Sequence, residues 1–292
     1  MRTQSHPCIG VGLRHPHYED ALHAPEGIDF VEFHAENLFI QNDLQQQFIN
    51  DVKQHWPVSI HGTAFGLGSV IGPSEASLDA LEQLVAQVSP MLISEHVCFN
   101  RAEVNHTVFH GGDLYPIPYN DHALDVLCHH IDLMQTRLQR HILMENLSAY
   151  LDGMLDKYSE AEFLSLMVQR TGCGLLLDLN NILINQYNQQ STAPLTHAME
   201  FVEQLPIDAI QEIHLAGFTN TQVNGKYVDD HAQPVGQECW QLYTEVLSHV
   251  GCVPTLIEWD NNLPTWSVLL QQADTARQLC LAHLQGQQGI RA

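Results

Sequence analysis

Short apolar runs recur along the chain, and each breaks off at a strongly polar or metal-liking side chain: GVGLRH, VEFHAEN, VSIHG, ISEH, ILMEN, LLLDLNN, EIHLAG and LIEWD. Runs this short and this rich in Ile, Leu and Val predict strands buried on both faces, as in a parallel sheet, with His, Asp and Glu confined to their exits. Strands are expected over 8–13, 28–33, 58–60, 91–94, 141–145, 174–179, within 206–215 and over 254–259. Between them the period changes. Leu78, Leu81, Leu84, Val85 and Val88 follow Pro73-Ser74-Glu75 at the spacing of a half-buried helix. Further helices are expected over 43–55, closed by Trp56-Pro57, and over 121–139, 159–169, 239–250 and 266–284. The longest insertion, 97–120, carries HTVFHGGDLYPIPYN and is expected to be a loop forming a lid or binding wall.

Strands alternating with helices in this number predict an α/β fold, a single (β/α)8 TIM barrel over 1–292, with its site at the C-terminal ends of the strands. A doubly wound sheet fits less well, because GVGLRH is not followed by the third glycine and helix of a dinucleotide fingerprint. No Pro/Gly/Ser-rich linker divides the chain, and 45% hydrophobic residues suffice for a sizeable core.

The charge narrows the partners. With 34 acidic against 11 basic residues the formal charge is −23, which repels a phosphate backbone and argues against nucleic acid. Most of the excess is an acidic surface, but bound cations would neutralise a pocket of carboxylates. Seven scattered cysteines without a C-x-x-C pair predict free thiols in a reducing cytoplasm. MRTQSHPCIG has no apolar signal region and no run is long enough to span a bilayer, so a cytoplasmic, unanchored protein is expected.

The strand exits supply the candidate chemistry: His61, His96, Glu145, Asp178, His214 and Glu258, with Asp229 and His231 as a D-x-H pair after the seventh strand. Several imidazoles with several carboxylates suit Fe, Mn or Zn rather than a soft thiolate-bound ion. These groups outnumber one octahedral shell, which predicts about two or three ions sharing carboxylates. Any one such residue is more often a hydrogen-bonded core group or a helix cap; their recurrence at six strand ends is what favours metal. Asn146 and Asn181 either orient ligands or satisfy exit backbone. Glu32, His34, Glu36 and Asn37 lie beside the pocket, though strand alternation turns some of them toward the helices. His129 and His130 read as surface or packing residues, and Asp260, Asn261 and Asn262 as loop and cap residues.

In order along the chain, GVGLR, EFHAEN, SIHG, SEH, MENLS, LDLNN, IHLAG, VDDHAQPV and LIEWD resemble the multinuclear non-haem iron-dependent oxidative enzymes, a family long known as a domain of unknown function that includes the iron subunit of methanobactin biosynthesis. The resemblance runs from about Ile9 to Asp260. It implies a TIM barrel with two or three irons, mixed Fe(II)/Fe(III), and dioxygen as co-substrate. The implied substrates are cysteine residues of a ribosomally made precursor peptide, with a small leader-recognising partner protein. It places the ligands on His61, His96, Glu145, Asp178, His214, Asp229, His231 and Glu258, each of which is competent here. In the mechanism so implied, a ferric ion holds the substrate thiolate and lowers its pKa, and an oxidant formed from dioxygen takes hydrogen from the cysteine β-carbon.

Two other readings compete. A divalent-metal isomerase or hydrolase barrel also places Glu, Asp and His at strand ends, but a sugar isomerase wants a lysine near its metals, and Lys53, Lys157 and Lys226 stand at no strand exit. An endonuclease would need a basic surface. A non-catalytic metal-binding or peptide-binding barrel is the third.

Overall fold

The computed structural model describes residues 6–39, 42–150 and 155–291. Its strands are β1 Ile9–Gly12, β2 Phe30–His34, β3 Val58–His61, β4 Leu92–His96, β5 Cys98–Val104, β6 Thr107–Pro116, β7 Leu143–Glu145, β8 Gly174–Asp178, β9 Ile210–Leu215 and β10 Thr255–Ile257. Eight of these close a parallel barrel in the order β1-β10-β9-β8-β7-β4-β3-β2, and β5 and β6 form a separate antiparallel ribbon. Helices α1 Tyr18–His23, α2 Asp43–His55, α3 Glu75–Val88, α4 Asp121–Leu138, α5 Glu160–Thr171, α6 Leu179–Asn188, α7 Pro194–Glu203, α8 Gln237–Val250 and α9 Trp266–Arg291 lie between and after the strands.

Local chemistry sets many of these boundaries. Side chains of Asn42, Ser74 and Asn120 accept the N–H of the third residue on, capping α2, α3 and α4. Ser159 and Glu162 close a reciprocal capping box on α5, which stops at Gly172, where φ is +67°. Leu78, Leu81, Leu84, Val85 and Val88 of α3 are all buried, as their spacing predicts. At the lower end of the barrel Phe30 is fully buried beneath Gly10, where a Cβ would lie 2.6 Å from the ring.

The parallel register decides what reaches the other end. His34 pairs with His61, His61 with Ser94, His96 with Glu145, and Asp178 with His214. Glu258 lies two residues beyond Leu256, the register partner of His214. Polar residues that close separate apolar runs therefore arrive at one height.

Two expectations need revision. The 97–120 stretch is not an irregular loop: β5 and β6 pair through Asn105 and His106, whose φ values of 51° and 60° suit a two-residue hairpin turn. The 179–205 region contains α6 and α7, which the apolar pattern did not single out. Asp178 ends β8 and also caps α6 by accepting the Asn181 N–H, so no loop separates strand from helix.

Candidate metal centre

The rim of the barrel gathers all eight predicted donors. His61 Nε2 lies 3.3 Å from His96 Nε2 and 3.3 Å from Glu145 Oε2, and His96 Nε2 lies 3.4 Å from the same oxygen. Glu145, Asp178, His214 and Glu258 offer one donor atom each within 4.8 Å of one another. His214 Nδ1 and Glu258 Oε2 are 2.9 Å apart. On the far side His231 Nε2 is 2.7 Å from Asp229 Oδ1 and 3.7 Å from Asp178 Oδ2. Glu145 thus faces two groups of donors, and Asp178 faces a third.

Neighbouring groups fix each ligand's direction. His61 Nδ1 pairs with Ser94 Oγ at 2.7 Å and His96 Nδ1 with the Gly62 carbonyl at 3.2 Å, leaving both Nε2 atoms toward the centre. Asn146 bridges strand ends: its amide donates to the Asp178 carbonyl and its Oδ1 accepts the Asp178 N–H. Asn181 donates to the Asn146 carbonyl. Both asparagines therefore hold the backbone and cap around Asp178. Asp229 accepts from Asn180 Nδ2, and its own N–H donates to the Tyr150 hydroxyl. His231 sits at φ +42°, a left-handed strain that its carbonyl's bonds from the N–H groups of Asp260 and Asn261 help to hold.

The electrostatics are those of ionisable groups crowded together away from water. Burial pushes Glu145 up to about 8 and Asp178 up to about 7, against the pull of nearby imidazoles. Burial opposes charge on His96 too, but Glu145 and Glu95 outweigh it and raise the ring to about 9. His61, buried and beside His96 and His214, is driven well below its ordinary value. Among the described residues, Glu145 Oε2 and Asp178 Oδ2 are buried without a hydrogen-bond partner. Gaps of 3.3–3.7 Å are long for hydrogen bonds yet match donors held on one ion by bonds of about 2.1 Å. The residues present fit bound metal.

Several participants were not recognised from sequence. Asp260 lies in the loop after β10 as read, but it also receives Arg14 Nε at 2.7 Å and lies 3.6 Å from His231 Nδ1. Arg14, buried at the end of the first run, also reaches His34 Nε2 at 2.8 Å and lies 3.7 Å from Glu258 Oε1. The Arg14 guanidinium holds the Asp260 carboxyl down at about 2 despite burial. Glu32 and His34, which the sequence places beside the pocket, turn inward together, leaving Phe33 to pack against Tyr18 and Phe48. Asn261 donates to the Asp230 carbonyl and does not cap a helix. The R in GVGLRH and the second acid in LIEWD were the available signals. His130 is a packing residue, bonded to the Leu67 carbonyl. All seven cysteines are free.

Six of the eight donors, His61, His96, Glu145, Asp229, His231 and Glu258, line a cavity of about 150 Å³ that also takes in Leu114 from the hairpin and Leu147. A model of the RiPP precursor modification enzyme family MbnB/TglH/ChrH matches residues 8–281, a span that includes every one of them. The chain belongs to this family. Relatives of the MbnB/TglH/ChrH chain include a UPF0276 protein of Chromobacterium violaceum, 40% identical over 92% of this chain and 93% of that protein, and one of Vibrio vulnificus, 38% identical over 97% and 94%. Among solved structures, a xylose isomerase domain-containing protein from Salmonella typhimurium superposes with a TM-score of 0.62, covering 96% of this chain and 99% of that one at 14% identity. Endonuclease IV from Thermus thermophilus gives 0.60, covering 94% and 99% at 13% identity. At such identities these likenesses concern the barrel alone. Among the described residues no helix is long and apolar enough to cross a membrane.

Proposed function

We propose that this MbnB/TglH/ChrH family member is a multinuclear iron oxidase that modifies cysteine residues of a ribosomally synthesised precursor peptide with dioxygen, assisted by a small leader-recognising protein. The observation that carries the reading is the convergence of His61, His96, Glu145, Asp178, His214 and Glu258 from six strands into overlapping donor groups, within a chain of a peptide-modifying family.

His61, His96 and Glu145 would hold one ion; Glu145, Asp178, His214 and Glu258 a second; Asp178, Asp229 and His231 a third. Iron bound there supplies a Lewis acid for the substrate thiol and electrons for dioxygen. The chain does the rest. Glu145 and Asp178, each shared between donor groups, would tie those groups into one centre. Asn146 and Asn181 keep Asp178 aimed, and Arg14 balances the negative charge of Glu258 and Asp260. Leu114 and Leu147 put apolar surface on the cavity wall beside the donors. Room for the peptide beside the reacting cysteine exists in an adjoining cavity of about 530 Å³ lined by Tyr187, Phe218 and Tyr227. Asn180 lines that cavity and bonds Asp229, so the two are neighbours. The lysine wanted by a sugar isomerase is not supplied: Lys53, Lys157 and Lys226 bond Gln87, Asp121 and Asn188.

The test is to incubate anaerobically prepared, iron-loaded protein with a Cys-containing precursor peptide and a leader-recognising partner protein of this family's pathways, then admit air. Oxygen uptake with a mass change confined to a cysteine is expected. A peptide recovered unchanged, with iron and partner both present, would refute the reading.

A further inference from the structure

One layer below the rim, β2 and β9 place two more carboxylates inside the barrel. Glu32 and Glu212 each precede an inward-facing imidazole by two residues, His34 and His214, so strand alternation points them the same way. Both carboxylates are completely buried. Glu32 Oε2 accepts the Ser59 hydroxyl at 3.3 Å, but among the described residues Glu32 Oε1 has no hydrogen-bond partner, and neither oxygen of Glu212 has one. The remaining occupant is His214 Nε2. It too is buried without a hydrogen bond, 3.5 Å from Glu32 Oε2 and 3.9 Å from Glu212 Oε1.

An arrangement of four unpartnered polar atoms in a fully enclosed layer is costly unless something binds them together. At 3.5 Å the approach of His214 to Glu32 is at best a weak hydrogen bond, at 3.9 Å that to Glu212 is none, and both gaps are too short to hold a bridging water. They match the roughly 3 to 4 Å between donors that share one ion on bonds of about 2.1 Å. We propose that Glu32, Glu212 and His214 Nε2 form a closed divalent-metal site beneath the rim centre, of the kind taken by Zn(II) or Mn(II). Glu212, with both oxygens unpartnered, binds through the pair, and Glu32 and His214 complete a shell of four protein donors.

The site shares one ring with the rim. His214 turns Nδ1 toward Glu258 and Nε2 toward the floor; with both sites filled the ring gives up its N–H proton to solvent and serves both as an imidazolate, so a floor ion fixes the ring plane that the upper donors use. The lower ion enters through the rim and lies under whatever fills it. It therefore resists chelation longer than the upper ions. The floor site has His214 in common with the proposed oxidase but does not require iron or oxygen chemistry there.

Crystals of the whole protein, stripped and reloaded with Mn(II), provide the test through anomalous difference density. We expect a peak enclosed by Glu32, Glu212 and His214, lost in both Glu212→Gln and Glu32→Gln while the rim peaks remain, and one fewer equivalent of metal in each variant by elemental analysis. If Glu212→Gln does not fold, Glu32→Gln tests the same site. Rim peaks with no floor peak, and equal metal content in wild type and Glu212→Gln, would overturn the floor site and leave the oxidase reading standing. Density nowhere in the molecule would overturn both.

Discussion

At the lower end of the barrel Phe30 closes the interior under Gly10, and the buried Tyr243 hydroxyl is paired with Thr255 Oγ1 at 3.1 Å. Four residues further along the strand that carries Phe30, His34 stands among Arg14, Glu258 and Asp260, and the neighbouring staves end in carboxylates with buried, unpartnered oxygens. Near Phe30 the interior is apolar; at the rim it is a crowd of imidazoles and carboxylates. A barrel can keep such an end because the layers beneath supply the stability that the rim gives up.

Substitutions at the two ends therefore separate folding from metal. Phe30→Ala removes a fully buried ring and is expected to cost about 3–5 kcal/mol in denaturant unfolding, with metal per folded molecule unchanged. Equal loss of metal and stability would erase the contrast. At the rim, Glu145→Ala takes away the carboxylate that faces two donor groups. It should weaken metal binding by at least about 100-fold, roughly 2.7 kcal/mol, while circular dichroism stays that of a barrel. Asn146→Ala, which frees Asp178 without removing a donor, should weaken binding by about 10-fold.

pH sharpens the same contrast. Folded metal-free protein keeps protons on Glu145 up to about 8 and on Asp178 up to about 7, where an unfolded chain has released them above 4.5 and 3.8. It also keeps the His96 proton up to about 9, against 6.5 when unfolded. In all three cases the native state binds more protons, so stability falls as pH rises from about 4 to 9. Thermal melts of stripped protein should show a lower midpoint at pH 8.5 than at pH 6. Metal-loaded protein should lose that decline, because bound ions replace the protons and affinity grows with pH. The smallest effect belongs to the exposed hairpin: Phe109→Ser, at 55% exposure, should move stability by less than about 0.5 kcal/mol and leave metal content alone.

Much of this was legible in the chain because a buried parallel strand has a strong signature and a register. LLLD, EIHL and LIE announce strand ends, and one register brings Asp178 beside His214. Helix α2 appears with the limits its caps dictate, Asp43–His55. What escaped were features whose meaning is tertiary. Asp260 resembles any polar residue after a strand until Arg14, nearly the whole chain away, is folded against it. Glu212 sits mid-strand, where alternation alone does not say which face is the barrel interior. Helix α6 was hidden because LDLNN closes a strand and starts a helix on the same residue. The hairpin was masked by glycines and prolines that read as loop, although its turn residues Asn105 and His106 lie where two strands must reverse.

The claim that these staves converge to bind a shared cluster of iron is tested most directly by counting metal. Protein prepared anaerobically with iron supplied should contain more than one iron per chain by elemental analysis, and His96→Ala or Glu258→Ala should lower that count in folded protein. A single equivalent of zinc, with no iron despite its supply, would contradict the account.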